Sequence, residues 1–385
     1  MNTPILYPCT GNVGMEGFGA FLEAECTHPR RNILLFSQEL CGKFGVPNAT
    51  MVNSGSSANL VACLTLAERL RKEGKPLTAA TSAFTFPTTV SALLLAGFSV
   101  TYVDVDEQGF NMSLESLEKL PEPPSLVALT HFLGFAGAAR RIAEHVHSSG
   151  GLLLQDACET MVLERDGVPL HTYGDITTWS FYHPHHLSAY GGGAVICTDP
   201  QDYEVADSIA HWGRACRCHI DRAKCHVPAG PAHQFTYERT GLNVELSELN
   251  ACFGRWQLRH FDEAEARRKR HYGILLNTLR NHPALRVYEP DDVGGSMFVF
   301  PVLLTNGMDI NQAWEALSGQ GVEIRTLMGG VSNEQAAFAH ITAAADDLPR
   351  ARHMARHAFF VGIHHTLQEE AVQAVADIIR KTFPA

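Results

Sequence analysis

The chain has 385 residues, 45% hydrophobic and 18% charged, with a formal net charge of −11. That is the profile of a soluble globular protein long enough for a large domain and a smaller lobe. The acidic balance argues against a nucleic-acid partner, and no apolar run reaches the roughly 18 residues that would span a membrane.

The start of the chain, Met1-Asn2-Thr3-Pro4, has no basic stretch leading into an apolar one. No secretory signal is therefore expected, and the expected location is cytoplasmic. The first 45 residues are expected to pack on the large domain. From about residue 50 to 200, short apolar runs alternate with helical stretches. Strands are predicted at 50–53, 77–81, 99–105, 126–131, 152–156, 177–181 and 194–198, with helices at 57–73, 88–96 and 138–149. Largely apolar strands alternating with helices imply an α/β fold with a mainly parallel, doubly wound sheet covered on both faces. Ligands in such sheets bind beyond the carboxyl ends of the strands. Residues 214–234 read as a long ordered loop rich in Cys, His and Pro, and loops of that length are usually functional. Helical periodicity resumes at Leu246 and runs towards His271. The rest, with short strands at 285–287, 298–303 and 323–325, reads as a smaller C-terminal α/β lobe. The expected division is 1–245 and 246–385.

Four short segments could carry chemistry. Asn53-Ser54-Gly55-Ser56-Ser57-Ala58-Asn59-Leu60 follows a strand and opens a helix. Free amides at that helix start suit a phosphate, while the plainer alternative is a Ser-capped turn. Phe86, in Thr85-Phe86-Pro87-Thr88-Thr89, could stack on a planar ring or simply pack in the core. Asp156 ends the apolar run Gly151-Leu152-Leu153-Leu154-Gln155. It could pair with a protonated ring nitrogen or cap a turn. His185 and His186 follow the 177–181 strand and precede Gly191-Gly192-Gly193. Imidazole moves protons near neutral pH, although most histidines in a chain with 20 of them do not.

Ten cysteines in a reducing compartment are not expected to form disulfides. Six of them, Cys9, Cys26, Cys41, Cys63, Cys197 and Cys252, read as packing residues. Cys216, Cys218 and Cys225 sit instead among His219, Asp221, Arg222, Lys224 and His226, where apolar packing is not expected. Three thiols within ten residues suggest a metal or iron–sulfur site.

Taken in order, Ser-Gly-Ser-Ser-Ala-Asn-Leu, Thr-Phe, Gln-Asp-Ala-Cys-Glu, Gly-Asp-Ile-Thr-Thr-Trp-Ser-Phe-Tyr, His-His and Gly-Leu-Asn-Val-Glu-Leu resemble the fold-type I sugar aminotransferases of the DegT/DnrJ/StrS family over residues 35–275. Where that family carries its Schiff-base lysine this chain has His185, which resembles the lysine-less 3-dehydrase branch. The resemblance implies pyridoxamine 5′-phosphate (PMP), or pyridoxal 5′-phosphate (PLP), held non-covalently. It implies that Gly55, Ser56, Ser57 and Ser180 meet the cofactor phosphate, Phe86 stacks on the ring, Asp156 pairs with the ring nitrogen and Glu159 stands near the ring hydroxyl. His185 would be the acid/base. Asn243 would reach the cofactor of the neighbouring subunit, so a homodimer is implied. Cys158 with Cys216, Cys218 and Cys225 resembles the pattern of a [2Fe–2S] cluster, and structural zinc on the same thiols is the alternative.

The implied reaction is C-3 deoxygenation of a nucleotide-linked 4-keto-sugar, with electrons from an NAD(P)H-dependent iron–sulfur/flavin reductase. A redox-free dehydratase or isomerase is the second reading. A non-catalytic protein of the same fold is the third, and the retained Asp156, Ser180, Asn243 and Gly-Ser-Ser turn speak against it.

Overall fold

The computed structural model describes residues 7–10, 15–26, 30–106, 109–161, 164–165, 167–218, 222–290, 297–343 and 348–383. His219 and Asp221, expected beside the thiols, lie outside the described residues.

In chain order the strands are β1 (Thr50–Val52), β2 (Thr78–Ser82), β3 (Ser99–Val103), β4 (Leu126–Thr130), β5 (Leu152–Asp156), β6 (Glu164–Arg165), β7 (Val168–Pro169), β8 (Ile176–Ser180), β9 (Gly193–Cys197), β10 (Leu285–Val287), β11 (Phe300–Leu304), β12 (Arg325–Thr326), β13 (Thr342–Ala343) and β14 (Ala358–Val361). The large sheet runs β1-β9-β8-β5-β4-β2-β3-β13. It is parallel from β8 to β13, while β9 is antiparallel to both β8 and β1.

The sheet is covered on both faces because its central strands are apolar on both. In β5, Leu152 and Leu154 join Val61 and Leu66 of helix Gly55–Lys72 in one core, while Leu153 joins Ile142 and Val146 of helix Ala139–Ser148 in another. In β4, Leu126 and Ala128 face the first core and Val127 and Leu129 the second. Period-two alternation between two covered faces gives strands that read as unbroken apolar runs.

The small lobe is an antiparallel sheet, β10-β11-β14-β12. Helices Phe261–Leu279 and Glu369–Thr382 pack on each other beside it. The helical run expected from Leu246 begins at the Ser247 cap and breaks at Arg259–His260. Four strands lie where none was predicted. β6 and β7, two residues each, pair with one another. β14 follows helix Pro349–His357 directly, with no turn residue between them to mark a boundary. β13 is two residues long, too short to show a period, and adds the small lobe's chain to the large sheet beside β3. The N-terminal residues also divide. Helix Arg31–Phe44 packs on helix Glu248–Leu258 and on β1, whereas Tyr7 bridges Val322 and donates its hydroxyl to the Gly362 carbonyl at 2.6 Å in the small lobe.

Candidate active site

The helix Gly55–Lys72 starts at Ser54, whose hydroxyl accepts the Ser57 amide at 3.0 Å. That cap leaves the first turn facing a cavity of about 840 Å³ at the carboxyl ends of β4, β5 and β8. Gly55, Ser56, Asp156, Cys158 and Ser180 form its floor; Phe298, Arg325 and Thr326 come from the chain beyond the large domain. A Cβ on Gly55 would stand 2.7 Å from the Ser180 Cβ and 3.0 Å from the Cys158 Sγ, so only glycine lets the helix start approach β8 this closely. Ser56 donates to the Thr88 hydroxyl at 2.8 Å, which joins the two helix starts that flank the cavity. Ser57, expected at the phosphate, is not a lining residue; its hydroxyl donates to Asn53 Oδ1 at 2.6 Å.

Asp156 closes β5 and is 3% exposed. Its Oδ2 accepts from Asn59 Nδ2 at 2.8 Å and from the Thr89 hydroxyl at 2.6 Å, and its Oδ1 from the Cys158 amide at 3.2 Å. Phe86 is 51% exposed and lines the cavity, so its ring is open to a ligand rather than packed in the core.

His185 lies at the cavity wall, stacked on Phe298 at 5.1 Å between ring centroids. Burial, with His186 as the next cause, pushes its pKa down to about 3, so the imidazole is neutral. Its Nδ1 is buried away from the cavity's open surface. The neutral ring lines the cavity wall, where an imidazole can exchange a proton with a bound molecule. Glu159 also faces the cavity, and its Oε2 accepts the Leu133 amide at 2.6 Å. Burial raises its pKa to about 8, so the carboxyl is protonated near neutrality. Arg268 lines the same wall, nearly fully buried, with Nη2 donating to the Pro184 carbonyl at 3.3 Å. No lysine is among the described residues lining the cavity.

Asn243 and the cysteine set also depart from expectation. Asn243 is exposed outside the cavity, its backbone bridged to His211. The four expected thiols do not meet as one set. Cys216, Cys218 and Cys225 converge with His233, while the Cys158 thiol belongs to the cavity floor. Asn59, Thr89, Thr88, Arg268 and Phe298 were given no role from sequence. Asn59 and Thr89 lie within motifs that signalled the site, yet their bonds to Asp156 cross 97 and 67 residues and leave no local pattern.

A doubly wound sheet with a cavity at its strand ends, closed by a second lobe, defines the class: the fold is that of the type I pyridoxal-phosphate enzymes. Residues 16–380 match the DegT/DnrJ/EryC1/StrS aminotransferase family, and the chain belongs to it. It is 28% identical to the lipopolysaccharide biosynthesis protein RfbH of Salmonella typhimurium, over 90% of this chain and 84% of that protein. It is 26% identical to a GDP-4-keto-6-deoxy-D-mannose 3-dehydratase of Yersinia pseudotuberculosis, over 90% of each. The fold is similar to that of an Escherichia coli GDP-4-keto-6-deoxy-D-mannose-3-dehydratase solved with bound hydrated PLP, with a TM-score of 0.88, 22% identity, and coverage of 98% of this chain and 100% of that one. The relatives named as 3-dehydratases are those of the branch that the sequence resembles.

Proposed function

We propose that the protein is a PMP- or PLP-dependent dehydratase that removes the C-3 hydroxyl of a nucleotide-linked 4-keto deoxysugar. The observation that carries this reading is a neutral His185 on the wall of a cavity that also presents Asp156 and, among the described residues, no lysine. The relatives named as 3-dehydratases of dTDP- and GDP-linked sugars support the substrate class.

The donor set fits the cofactor. The amides of Gly55 and Ser56 with the Ser180 hydroxyl would hold its phosphate at the helix start. Asp156, fixed by Asn59 and Thr89, would pair with its ring nitrogen, Phe86 would cover its face, and the protonated Glu159 would donate to its ring oxygen. When bound, the cofactor supplies an amine for the sugar ketone and a ring that withdraws electrons. With the cofactor bound, His185 would accept a proton at the C4′ carbon and return it to the departing hydroxyl, which leaves as water. Burial and the Phe298 stack keep its ring neutral and in place. Arg268 offers a cation beside His185 for an anionic substrate group. Asn243, exposed outside its own cavity, would serve a second subunit in a homodimer. The free thiols suit a cytoplasmic enzyme.

The reductive course needs a [2Fe–2S] cluster on four thiols and a separate NAD(P)H-dependent reductase. With Cys158 in the cavity floor the donor set does not fit that cluster, and the proposed reaction includes no electron transfer from a partner.

The test uses PMP carrying tritium at C4′ and a panel of CDP-, dTDP- and GDP-linked 4-keto-6-deoxyhexoses, without reductase. Tritium release with loss of the C-3 hydroxyl from one sugar is expected. Failure of the whole panel, or release that His185→Asn leaves at the wild-type rate, overturns the reading.

A further inference from the structure

The dehydration leaves one cluster of reactive side chains unused. After helix Pro200–Ala210 the chain makes a loop whose ends close on each other. Arg214 bridges Tyr237, and the Ala215 amide donates to the Thr236 carbonyl at 2.9 Å. Within this loop the Sγ atoms of Cys216, Cys218 and Cys225 and the Nε2 of His233 all lie within 4.8 Å of one another. Nε2 is 2.9, 3.2 and 3.7 Å from the three sulfurs in turn.

The atoms around the set are arranged as ligand supports. His233 Nδ1 is 3.0 Å from the Pro228 carbonyl. A carbonyl only accepts, so Nδ1 carries the proton and Nε2 turns its lone pair to the sulfurs. The backbone of Arg217 and of Val227 hydrogen-bonds Cys225, as amides do at metal-bound thiolates. Arg217 ties the loop to Glu204 and Glu238. The three thiols are half-buried in polar chain, so apolar packing does not account for them.

Size then selects the occupant. Around one tetrahedral ion, bonds of about 2.3 Å to sulfur and about 2.0 Å to nitrogen place ligand atoms roughly 3.5–3.8 Å apart. A two-iron cluster divides its ligands between two metals and would need a wider set. We propose that Cys216, Cys218, Cys225 and His233 bind a single thiophilic divalent cation of the zinc class, with His233 rather than Cys158 as the fourth ligand. Four protein ligands leave no open position, so the ion is a structural clamp. It locks the loop that returns the chain to Asn243.

The test measures metal in the resting, full-length protein purified without oxygen. It is blind to the sugar reaction, so its failure and that of the proposed function are distinguishable. About one zinc per chain is expected, with negligible iron and sulfide. Cobalt(II) should replace it and give the strong visible bands of a tetrahedral thiolate site. Cys158→Ala should keep the ion. His233→Ala should weaken retention against a chelator by more than the roughly 10–100-fold typical of supporting residues. His233→Cys, which restores a ligand, should hold it if the alanine variant fails to fold. Two iron with two sulfide, loss of metal in Cys158→Ala, retention in His233→Ala, or a metal-free protein with two of the thiols oxidised to a disulfide would each overturn the proposal.

Discussion

Asn59 holds Asp156 in a fixed orientation: its amide donates to the carboxylate at 2.8 Å, while its own oxygen accepts the Thr178 hydroxyl at 2.6 Å. Thr178 lies on β8 and Asp156 on the neighbouring β5, paired in register. One amide thus ties a helix to two strands and aims a buried carboxylate at the cavity. Asn59→Ala removes a donor from a buried carboxylate and leaves the Thr178 hydroxyl only its longer contact with the Gln155 carbonyl, at 3.4 Å. The expected loss is about 1–3 kcal/mol of stability, with weaker cofactor retention. Thermal unfolding with and without PMP measures both. Unchanged melting in the two conditions would refute the role.

His185→Asn keeps a polar side chain of similar length but offers no basic nitrogen. Tritium release from C4′ should fall by about 10²–10⁴-fold, while PMP affinity by fluorescence stays near wild type. A parallel loss of affinity would mean that the residue holds the cofactor rather than moving its proton.

His185→Lys places an amine at the position of the missing Schiff-base lysine. Added PLP should form a covalent adduct that absorbs in the visible range and is fixed by borohydride. A protein that binds PLP without that band would show that residue 185 does not face the C4′ carbon.

Gly55→Ala puts a methyl group 2.7 Å from the Ser180 Cβ. Overpacking of this kind costs about 1–3 kcal/mol, and here it would part the helix start from β8. Phosphate and PMP affinity should fall more steeply than stability. The comparison is between calorimetric binding and denaturant unfolding of the same variant.

Glu159 gives a pH dependence. Its folded pKa is raised from 4.5 to about 8 by burial, so the folded state holds a proton that the unfolded chain releases. Stability from this group therefore falls as pH rises from about 4.5 to 8, by up to about 1.4 kcal/mol per pH unit. Glu159→Gln removes that slope, so the variant should gain on the wild type as pH rises from 5 to 8. Parallel stability profiles would mean that Glu159 is ionised in the fold.

Two of the four strands missed by sequence show where local pattern ends. β13 is a pair formed with β3 across more than 200 residues, and two residues have no period to read. β14 is apolar enough for a strand but follows a helix without a break. By contrast, β4, β5 and β8 were legible within one or two residues, because strands buried on both faces must be apolar throughout.

The sequence by itself determined the doubly wound fold, the Ser-Gly-Ser helix start, Asp156 at a strand tip and histidine in the lysine position. Each is written in a few consecutive residues, as backbone period, turn chemistry or side-chain identity. Only the tertiary structure decided which atoms meet. Asn59 and Thr89 fix Asp156, Phe298 stacks on His185, and Cys158 faces the cavity while His233 joins the other thiols. Such contacts depend on which strand lies beside which and on how a loop closes. Chain spacing carries no record of either: Cys-x-Cys is visible in a sequence, but the fourth atom beside it is chosen in space.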